Sequence, residues 1–190
     1  MSHRLNRKKL LASLLSTILL FVSGAAMASQ DIQVLTKACV ACHGKNGNSN
    51  NSAWPNLAGQ KRTYLAIQLR NFRSGARKNL LMDDIVKNLS DTQIEALANY
   101  YSEQSVVIKK HEIVNQQGRN IRSHCLSCHG YKGITVNQQW PNLAGQQKNY
   151  LQAQLLAFKQ GTRISPEMQV IAKELSDSQI EAVAEYYSQL

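Results

Sequence analysis

Two short cysteine–histidine motifs are the residues of this chain best suited to chemistry. Each motif reads Cys-x-x-Cys-His followed by Gly, and the members are Cys39, Cys42, His43, Cys125, Cys128 and His129. Two cysteines three residues apart on a helical turn face the same side, so they can form thioethers to the two vinyl groups of one haem. The adjacent histidine can then ligate the haem iron. The motifs predict two haem c groups.

Each iron needs a second axial ligand, and one methionine lies in the same register after each motif. Met82 follows His43 at the same distance as Met168 follows His129. A thioether opposite an imidazole raises the reduction potential of the iron. We therefore predict two His/Met ligand pairs, one in each half of the chain.

Paired cysteines also occur in two other kinds of site. A thiol–disulfide redox pair belongs in a β-α-β context, which the chain lacks. A zinc site needs four ligands, and neither motif has a second pair at usable spacing. A haem-free thiol–disulfide protein remains an alternative, and absence of covalent haem after export would support it.

Most of the chain is an internal duplication. Cys125 lies 86 residues after Cys39, and the same shift aligns the halves to the end of the chain without a gap. The segment Trp-Pro-Asn-Leu-Ala-Gly-Gln at 54–60 returns intact at 140–146. We predict two domains, the first repeat at 29–104 and the second repeat at 105–190. Because about 80 residues are marginal for one hydrophobic core, we expect something besides side chains to fill each repeat.

The periodicity within each repeat is helical. In the first repeat, apolar residues between 64 and 72 follow helical spacing and stop at Gly75, a helix C-terminal signal. Ser90 with Gln93 has the spacing of a capping box and opens a second helix. The second repeat has the same pattern, so we predict two all-α domains with long ordered loops.

The first 28 residues read as a cleaved secretory signal. Basic residues between 4 and 9 precede an apolar run from Leu10 to Val22, and Ala-Met-Ala stands at 26–28. The apolar run falls short of the roughly 20 residues that span a bilayer. We predict export to the periplasm, with an uncleaved membrane anchor as the alternative.

The formal net charge of +10 at first suggests a nucleic-acid partner. Residues 1–28 hold four of the 22 basic residues and none of the 12 acids, so the remainder carries 18 − 12 = +6. The pair Lys109-Lys110 is too short for a nucleic-acid patch. We predict no nucleic-acid partner, since this mild charge suits a brief encounter with an acidic redox protein.

From residue 29 onward, the chain resembles the diheme cytochromes of the cytochrome c4 family, and each half resembles a class I cytochrome c. The resemblance rests on both haem motifs, both Trp-Pro-Asn-Leu-Ala-Gly-Gln segments, both methionines and the Leu-Ser-Asp to Tyr-Tyr endings. It implies two tandem class I cytochrome c-like domains, each wrapped around one covalently bound haem. It also implies that the carbonyls of Pro55 and Pro141 accept a hydrogen bond from the ligand imidazoles.

One position departs from the class I pattern. Class I cytochromes usually place a glycine where the N-terminal helix crosses the C-terminal helix. Gly118 matches this glycine in the second repeat, whereas Ile32 stands at the equivalent position in the first. We therefore expect a shifted or looser crossing in the first repeat.

Other aromatic and basic residues have less certain roles. Trp54 and Trp140 fit a haem edge or propionate as well as they fit core packing. For Arg77 and Arg163 we expect solvated surface positions, with a haem propionate as the alternative partner. His111 and His124 have no counterpart in the other repeat, so we expect surface histidines. Four tyrosines are expected to line the haem pocket or the domain interface, namely Tyr100, Tyr101, Tyr186 and Tyr187.

We predict an electron carrier and not an enzyme, because an iron with both axial positions filled has no vacant site for oxygen or peroxide. The resemblance implies a quinol-oxidising complex as donor and a terminal oxidase as acceptor, with peripheral membrane association left open. One alternative is a cytochrome subunit of a larger oxidoreductase. Another is a diheme peroxidase, which predicts that one repeat lacks its methionine, and neither does.

Overall fold

In the computed structural model, residues 32–107 and 115–190 are described, and they contain helices and loops but no strand. The described part of the first repeat has four α-helices and a 3₁₀ turn at Lys45–Gly47. The helices are α1 (32–43), α2 (Arg62–Ser74), α3 (Leu80–Val86) and α4 (Asp91–Ser102). The predicted signal peptide at 1–28 and His111 lie outside the described residues.

The helices of the second repeat follow the same order, except that the first of them is broken. Its helices are α5 (Gln116–Ile121), α6 (Leu126–His129), α7 (Lys148–Gln160), α8 (Pro166–Glu174) and α9 (Asp177–Ser188). A 3₁₀ turn at Arg122–His124 separates α5 from α6. The segment that corresponds to α1 is therefore broken just before the second cysteine motif.

Local sequence signals account for several helix ends. Helix α2 ends at Gly75, whose φ of 77° lies in the left-handed region that glycine adopts without strain. Helix α4 begins with a capping box in which Ser90 accepts from the backbone of Gln93 and Gln93 bonds back. Helix α9 has the same box at Ser176 and Gln179. The two predicted helices of each repeat and their signals are thus confirmed.

Contacts between Cα atoms divide the chain into Met1–Lys37 and Ala38–Leu190. In the first unit, the described residues are helical, and the Thr36 hydroxyl donates to the carbonyl of Gln33 at 3.2 Å. In the second unit, both repeats pack as one body. Its largest fully buried side chains lie on α3, α4 and α9, and they are Val86, Ile94, Ile180 and Val183.

Gly118 allows α5 and α9 to cross closely in the second repeat. A Cβ at this position would overlap the carbonyl oxygen of Ala182, and it would lie 2.7 Å from the Cβ of Tyr186. The prediction that Gly118 lies where the N-terminal and C-terminal helices of this repeat cross is confirmed. Ile32, at the equivalent position, is half-buried on α1, and the expectation for its crossing stays a prediction.

The two identical Trp-Pro-Asn-Leu-Ala-Gly-Gln segments hold the repeats together. Asn56 N–H donates to Gln146 Oε1 at 2.7 Å, and Gln146 Nε2 donates back to the Asn56 carbonyl at 2.9 Å. Asn142 and Gln60 make the same two bonds at 2.7 and 2.9 Å. In each segment the glutamine side chain thus bonds the backbone N–H and carbonyl of the asparagine in the other segment. The pairing is therefore reciprocal and has near two-fold symmetry.

Candidate haem sites

The histidine of each motif is buried and held by one backbone carbonyl. Nδ1 of His43 lies 2.8 Å from the carbonyl oxygen of Pro55, and Nδ1 of His129 lies 2.9 Å from that of Pro141. The expected proline carbonyl contacts are therefore confirmed in both repeats. Burial lowers the pKa of both imidazoles, although the proline carbonyls oppose this shift. A carbonyl can only accept, so Nδ1 carries the proton and Nε2 keeps its lone pair for a metal.

The surroundings of Cys39 and Cys125 do not activate their thiols for redox chemistry. None of the four forms a disulfide in the structure. Burial raises the pKa of the Cys39 thiol above its ordinary value and that of Cys125 to about 11. A reactive thiol needs a lowered pKa and an electropositive neighbourhood. These two environments therefore disfavour the thiol–disulfide alternative.

Two tyrosine hydroxyls close the pocket beside these cysteines. Tyr101 lies against Cys39 and Tyr187 against Cys125. Both hydroxyls are buried and have no nitrogen or oxygen partner among the described residues. The expectation that Tyr101 and Tyr187 line the pocket is confirmed.

The other two tyrosines have different neighbours. The hydroxyl of Tyr100 bonds the side chain of Asn46 at 3.2 Å, and that of Tyr186 accepts from Arg122 at 2.9 Å. Neither ring lines the cavity described below. The expected place in the pocket wall is therefore wrong for Tyr100 and Tyr186, whose rings stack edge-on against Tyr101 and Tyr187. The alternative place at the domain interface stays a prediction, since both hydroxyls bond residues of their own repeat.

The methionines lie on two short helices that the periodicity did not predict. Met82 is in the first turn of α3, where the Asn79 side chain accepts from its backbone N–H at 3.1 Å. Met168 is in the first turn of α8, which begins at Pro166. Asn79 as an N-cap and proline at the first helical position were the sequence signals for these helices.

A cavity of about 1270 Å³ joins these groups. All eight predicted haem-binding residues line it, and residues of both repeats contribute. A cavity of this size between side chains departs from the close packing of protein interiors and is wide enough for prosthetic groups. The donor set fits a haem in each repeat, with two thiols for attachment and a nitrogen and a thioether for the iron.

Both tryptophans also border the cavity. Trp54 is half-buried, and the side chain of Trp140 is 40% exposed. Full core packing is therefore wrong for Trp140, since this ring lies between the cavity and solvent.

Two arginines lie between the repeats and do not project into solvent. Arg77 donates to Gln68 of its own repeat at 2.8 Å, and across the interface to Tyr150 at 3.0 Å and Gln154 at 2.8 Å. Arg163 mirrors it, bonding Gln154, Tyr64 and Gln68 at 2.7, 3.0 and 3.0 Å. The expectation of solvated surface arginines is therefore wrong. Sequence reasoning missed this arrangement because four of the six bonds cross between repeats.

The two guanidinium groups have no acidic counter-charge in the described part of the chain. Their partners are amides and phenols, and none of the ion pairs includes Arg77 or Arg163. Burial alone would raise the pKa of Tyr150, but the two arginines outweigh it and lower that pKa. Removing a charge from water without a partner costs several kcal/mol. Since both arginines line the cavity, they fit the carboxylates of a bound haem.

We expect Arg77→Gln and Arg163→Gln each to lower the reduction potentials of both haems. A positive charge beside a haem favours the reduced state, and each guanidinium lies at the interface of the two repeats. Spectroelectrochemical titration would measure the potentials. Arg62→Gln is the matched control, because Arg62 is exposed and ion-paired to Glu95 at 3.0 Å. Unchanged potentials in both interface variants would contradict the expectation.

His124 is confirmed as a surface residue. Its side chain is 46% exposed, and Nδ1 lies 3.9 Å from a carboxylate oxygen of Glu174. This position, on the 3₁₀ turn before the second motif, keeps it distinct from the buried His129.

Comparison with known proteins identifies the family. The family model described as cytochrome c matches residues 31–104 and again 116–190. The chain belongs to the cytochrome c family. Among the helices of residues 32–107 and 115–190, none is long and apolar enough to cross a membrane.

Three relatives refine the placement. Cytochrome c4 of Pseudomonas aeruginosa is 34% identical over 196 residues, covering 94% of this chain and 96% of the relative. A thiosulfate dehydrogenase electron acceptor of Stutzerimonas stutzeri is 38% identical over 169 residues, covering 80% of this chain and 78% of the relative. The crystal structure of reduced recombinant cytochrome c4 from Pseudomonas stutzeri superposes with a TM-score of 0.79 at 31% identity, covering 85% of this chain and 97% of that one.

These comparisons place the chain in the cytochrome c4 family. It consists of two tandem cytochrome c domains, and it is a diheme electron carrier with two covalently bound c-type haems. The predicted all-α fold class and the predicted cofactors are confirmed.

Proposed function

We propose that this cytochrome is a periplasmic shuttle of a respiratory chain that passes electrons by outer-sphere transfer through two His/Met-ligated haems. A quinol-oxidising complex would be the donor and a terminal oxidase the acceptor. The observation that carries the proposal is the complete donor set of each repeat around the same cavity. The partners themselves rest on the family resemblance.

Each residue of the set has a defined task in this proposal. Cys39 and Cys42 attach one haem, and Cys125 and Cys128 attach the other. The proline carbonyls keep each imidazole in the tautomer with Nε2 free for iron, and they fix its orientation. The methionines on α3 and α8 supply the sixth ligand. The bound haem supplies an iron that alternates between the ferric and ferrous states.

The same set argues for a carrier rather than an enzyme. A diheme peroxidase needs one iron with an open position for peroxide, whereas Met82 and Met168 both line the cavity. With both methionines as ligands, neither iron would offer a substrate site. We therefore propose outer-sphere transfer, in which the histidine and methionine ligands would stay on each iron while electrons enter and leave.

Export and domain boundaries form part of the proposal. We infer cleavage after residue 28 and domains at 29–104 and 105–190. Covalent attachment of haem to Cys-x-x-Cys-His and the basic–apolar–small order of residues 1–28 both suit an exported cytochrome.

A second candidate is a cytochrome subunit of a larger oxidoreductase. It is favoured by the relative of Stutzerimonas stutzeri, whose name describes the electron acceptor of thiosulfate dehydrogenase. Here the donor would be a catalytic partner protein in place of a quinol-oxidising complex. Co-purification of the native protein with a stoichiometric larger subunit would favour this candidate.

The proposal is tested by optical spectra of the exported protein, oxidised and reduced, with a haem-to-protein ratio. We expect two covalent haems per chain and a far-red band from methionine bound to ferric iron. A ratio of one or zero would contradict the site assignment. Peroxide turnover together with a high-spin resting spectrum would favour the peroxidase instead.

A further inference from the structure

Two tyrosine hydroxyls, those of Tyr101 and Tyr187, are buried without a nitrogen or oxygen partner in the described part of the chain. The two residues stand 86 positions apart, at equivalent places on α4 and α9, and they are 3% and 2% exposed. A buried hydroxyl without a partner costs free energy, so native structures rarely keep one. The recurrence at the same position of both repeats therefore points to an acceptor of another kind in each haem site.

The atom beside each hydroxyl is the sulfur of the first cysteine of the motif. Both tyrosines and both of these cysteines line the cavity, and Cys125 packs against the buried cluster that contains Tyr187. Burial raises the pKa of the Cys39 thiol, and hydrogen bonding from Tyr101 opposes this shift. Tyr187 acts on the pKa of Cys125 in the same way. In both repeats the hydroxyl thus faces the sulfur through which a haem would be attached.

Packing around the rings holds the hydroxyls at the sulfurs. The ring of Tyr101 stands edge-on to that of Tyr100, with centroids 5.0 Å apart. A Cβ on Gly47 would lie 2.7 Å from Cδ1 of Tyr101, so this loop leaves the ring no room to swing. The carbonyl of Tyr101 accepts from the N–H of Gly59 at 3.0 Å. Tyr187 has the equivalent three neighbours, namely Tyr186, Gly133 and Gly145.

We propose that the hydroxyls of Tyr101 and Tyr187 donate hydrogen bonds to the sulfurs of Cys39 and Cys125, and that each bond raises the reduction potential of the haem in its own repeat. Attachment leaves a thioether sulfur without a proton, so the hydroxyl is the donor of the pair. The donated hydrogen turns its positive end toward the haem, which favours the ferrous state because that state holds one more electron. Hydrogen bonding around a haem is one means by which proteins set its potential.

The carboxylates of the haem fit these hydroxyls less well than the sulfurs do. In a c-type haem the carbons that bind cysteine and the two propionates lie on opposite edges of the porphyrin. The hydroxyls stand at the cysteines, whereas Arg77 and Arg163 at the interface between the repeats suit the carboxylates. The inference rests on the attachment sites of the proposed function and assigns a further pair of residues to them.

The test compares Tyr101→Phe and Tyr187→Phe with the wild-type diheme protein, since phenylalanine keeps the ring and removes only the hydroxyl. In spectroelectrochemical titration one of the two haems should be lowered in potential, a different one in each variant. We expect its ferric-to-ferrous ratio at a fixed potential to rise about threefold, or about 30 mV at about 59 mV per tenfold change for one electron. The matched controls are Tyr100→Phe and Tyr186→Phe, whose lost hydroxyls bond Asn46 and Arg122 instead. Their potentials should stay at those of the wild type.

Guanidinium unfolding of the same variants gives an independent readout. If the hydroxyl donates to sulfur, its removal leaves the unfolding midpoint unchanged or lower. If the hydroxyl is unsatisfied in the haem-bound protein, its removal raises the midpoint, because a buried polar group without a partner is destabilising.

A lowered potential in both hydroxyl variants, with unchanged controls and no rise in midpoint, supports the proposal. An unchanged potential in either variant, a raised midpoint or an equal fall in the controls overturns it. If one variant loses its haem, the other repeat decides by the same criteria, and loss from both would assign the hydroxyls to haem retention and overturn a role in potential. The haem-to-protein ratio and the far-red methionine band of the wild type are recorded first, so that failure of the proposed function is seen separately.

Discussion

Met82→Ala should lower the reduction potential of one haem by a few tenths of a volt, since axial ligands set haem potentials over a range of about 0.8 V. A thioether favours ferrous iron, so its loss stabilises the ferric state. Met168→Ala should do the same to the other haem. Each substitution should also remove half of the far-red band of the oxidised protein. Redox titration of both variants would thus assign each potential to a repeat.

The control for this experiment is Leu81→Ala. Leu81 borders the same cavity on α3 and is 63% exposed, but it has no atom suited to bind iron. We expect an intact far-red band and a nearly unchanged potential in this variant. If Met82→Ala keeps the complete band, Met82 is not an iron ligand, and the sixth ligand of that haem must be sought elsewhere in the cavity.

Gly118→Ala should destabilise the second repeat by about 3 kcal/mol, at the upper end of the usual cost of overpacking. The new methyl group would overlap the backbone carbonyl of Ala182 on α9 and crowd Tyr186. A backbone atom cannot move aside as a side-chain end can, so α5 and α9 would have to separate. Guanidinium unfolding, followed by the absorption of each haem, would show an earlier midpoint for the second repeat.

Gln117→Ala provides the matched control on the same short helix. Gln117 is exposed, and alanine favours helix formation slightly. We expect its unfolding midpoint to stay within error of wild type or to rise. Equal stability of Gly118→Ala and wild type would show that the helices tolerate a wider crossing, as we expect for Ile32 in the first repeat.

Much of the site could be predicted from local sequence because its chemistry has short-range geometry. Cys-x-x-Cys-His needs only one helical turn to present two thiols and an imidazole, so Cys39, Cys42 and His43 needed no tertiary information. Met82 and Met168 could be predicted as ligands because they lie at the same distance after the two motifs. The short helices that carry them were not predicted. Those helices are short, and their caps are weaker signals than periodicity.

The sequence by itself determined the duplication, the all-α class, the haem motifs and the capping boxes, since each depends on residues close together in the chain or on one constant shift. Only the tertiary structure decided what the identical segments at 54–60 and 140–146 do, where each satisfies the backbone of the other. It likewise placed Arg77 and Arg163 inside the interface. The sequence of one repeat is the same whether its polar residues face solvent or the other repeat. Only the packing of the two repeats against each other decides which of these residues are exposed.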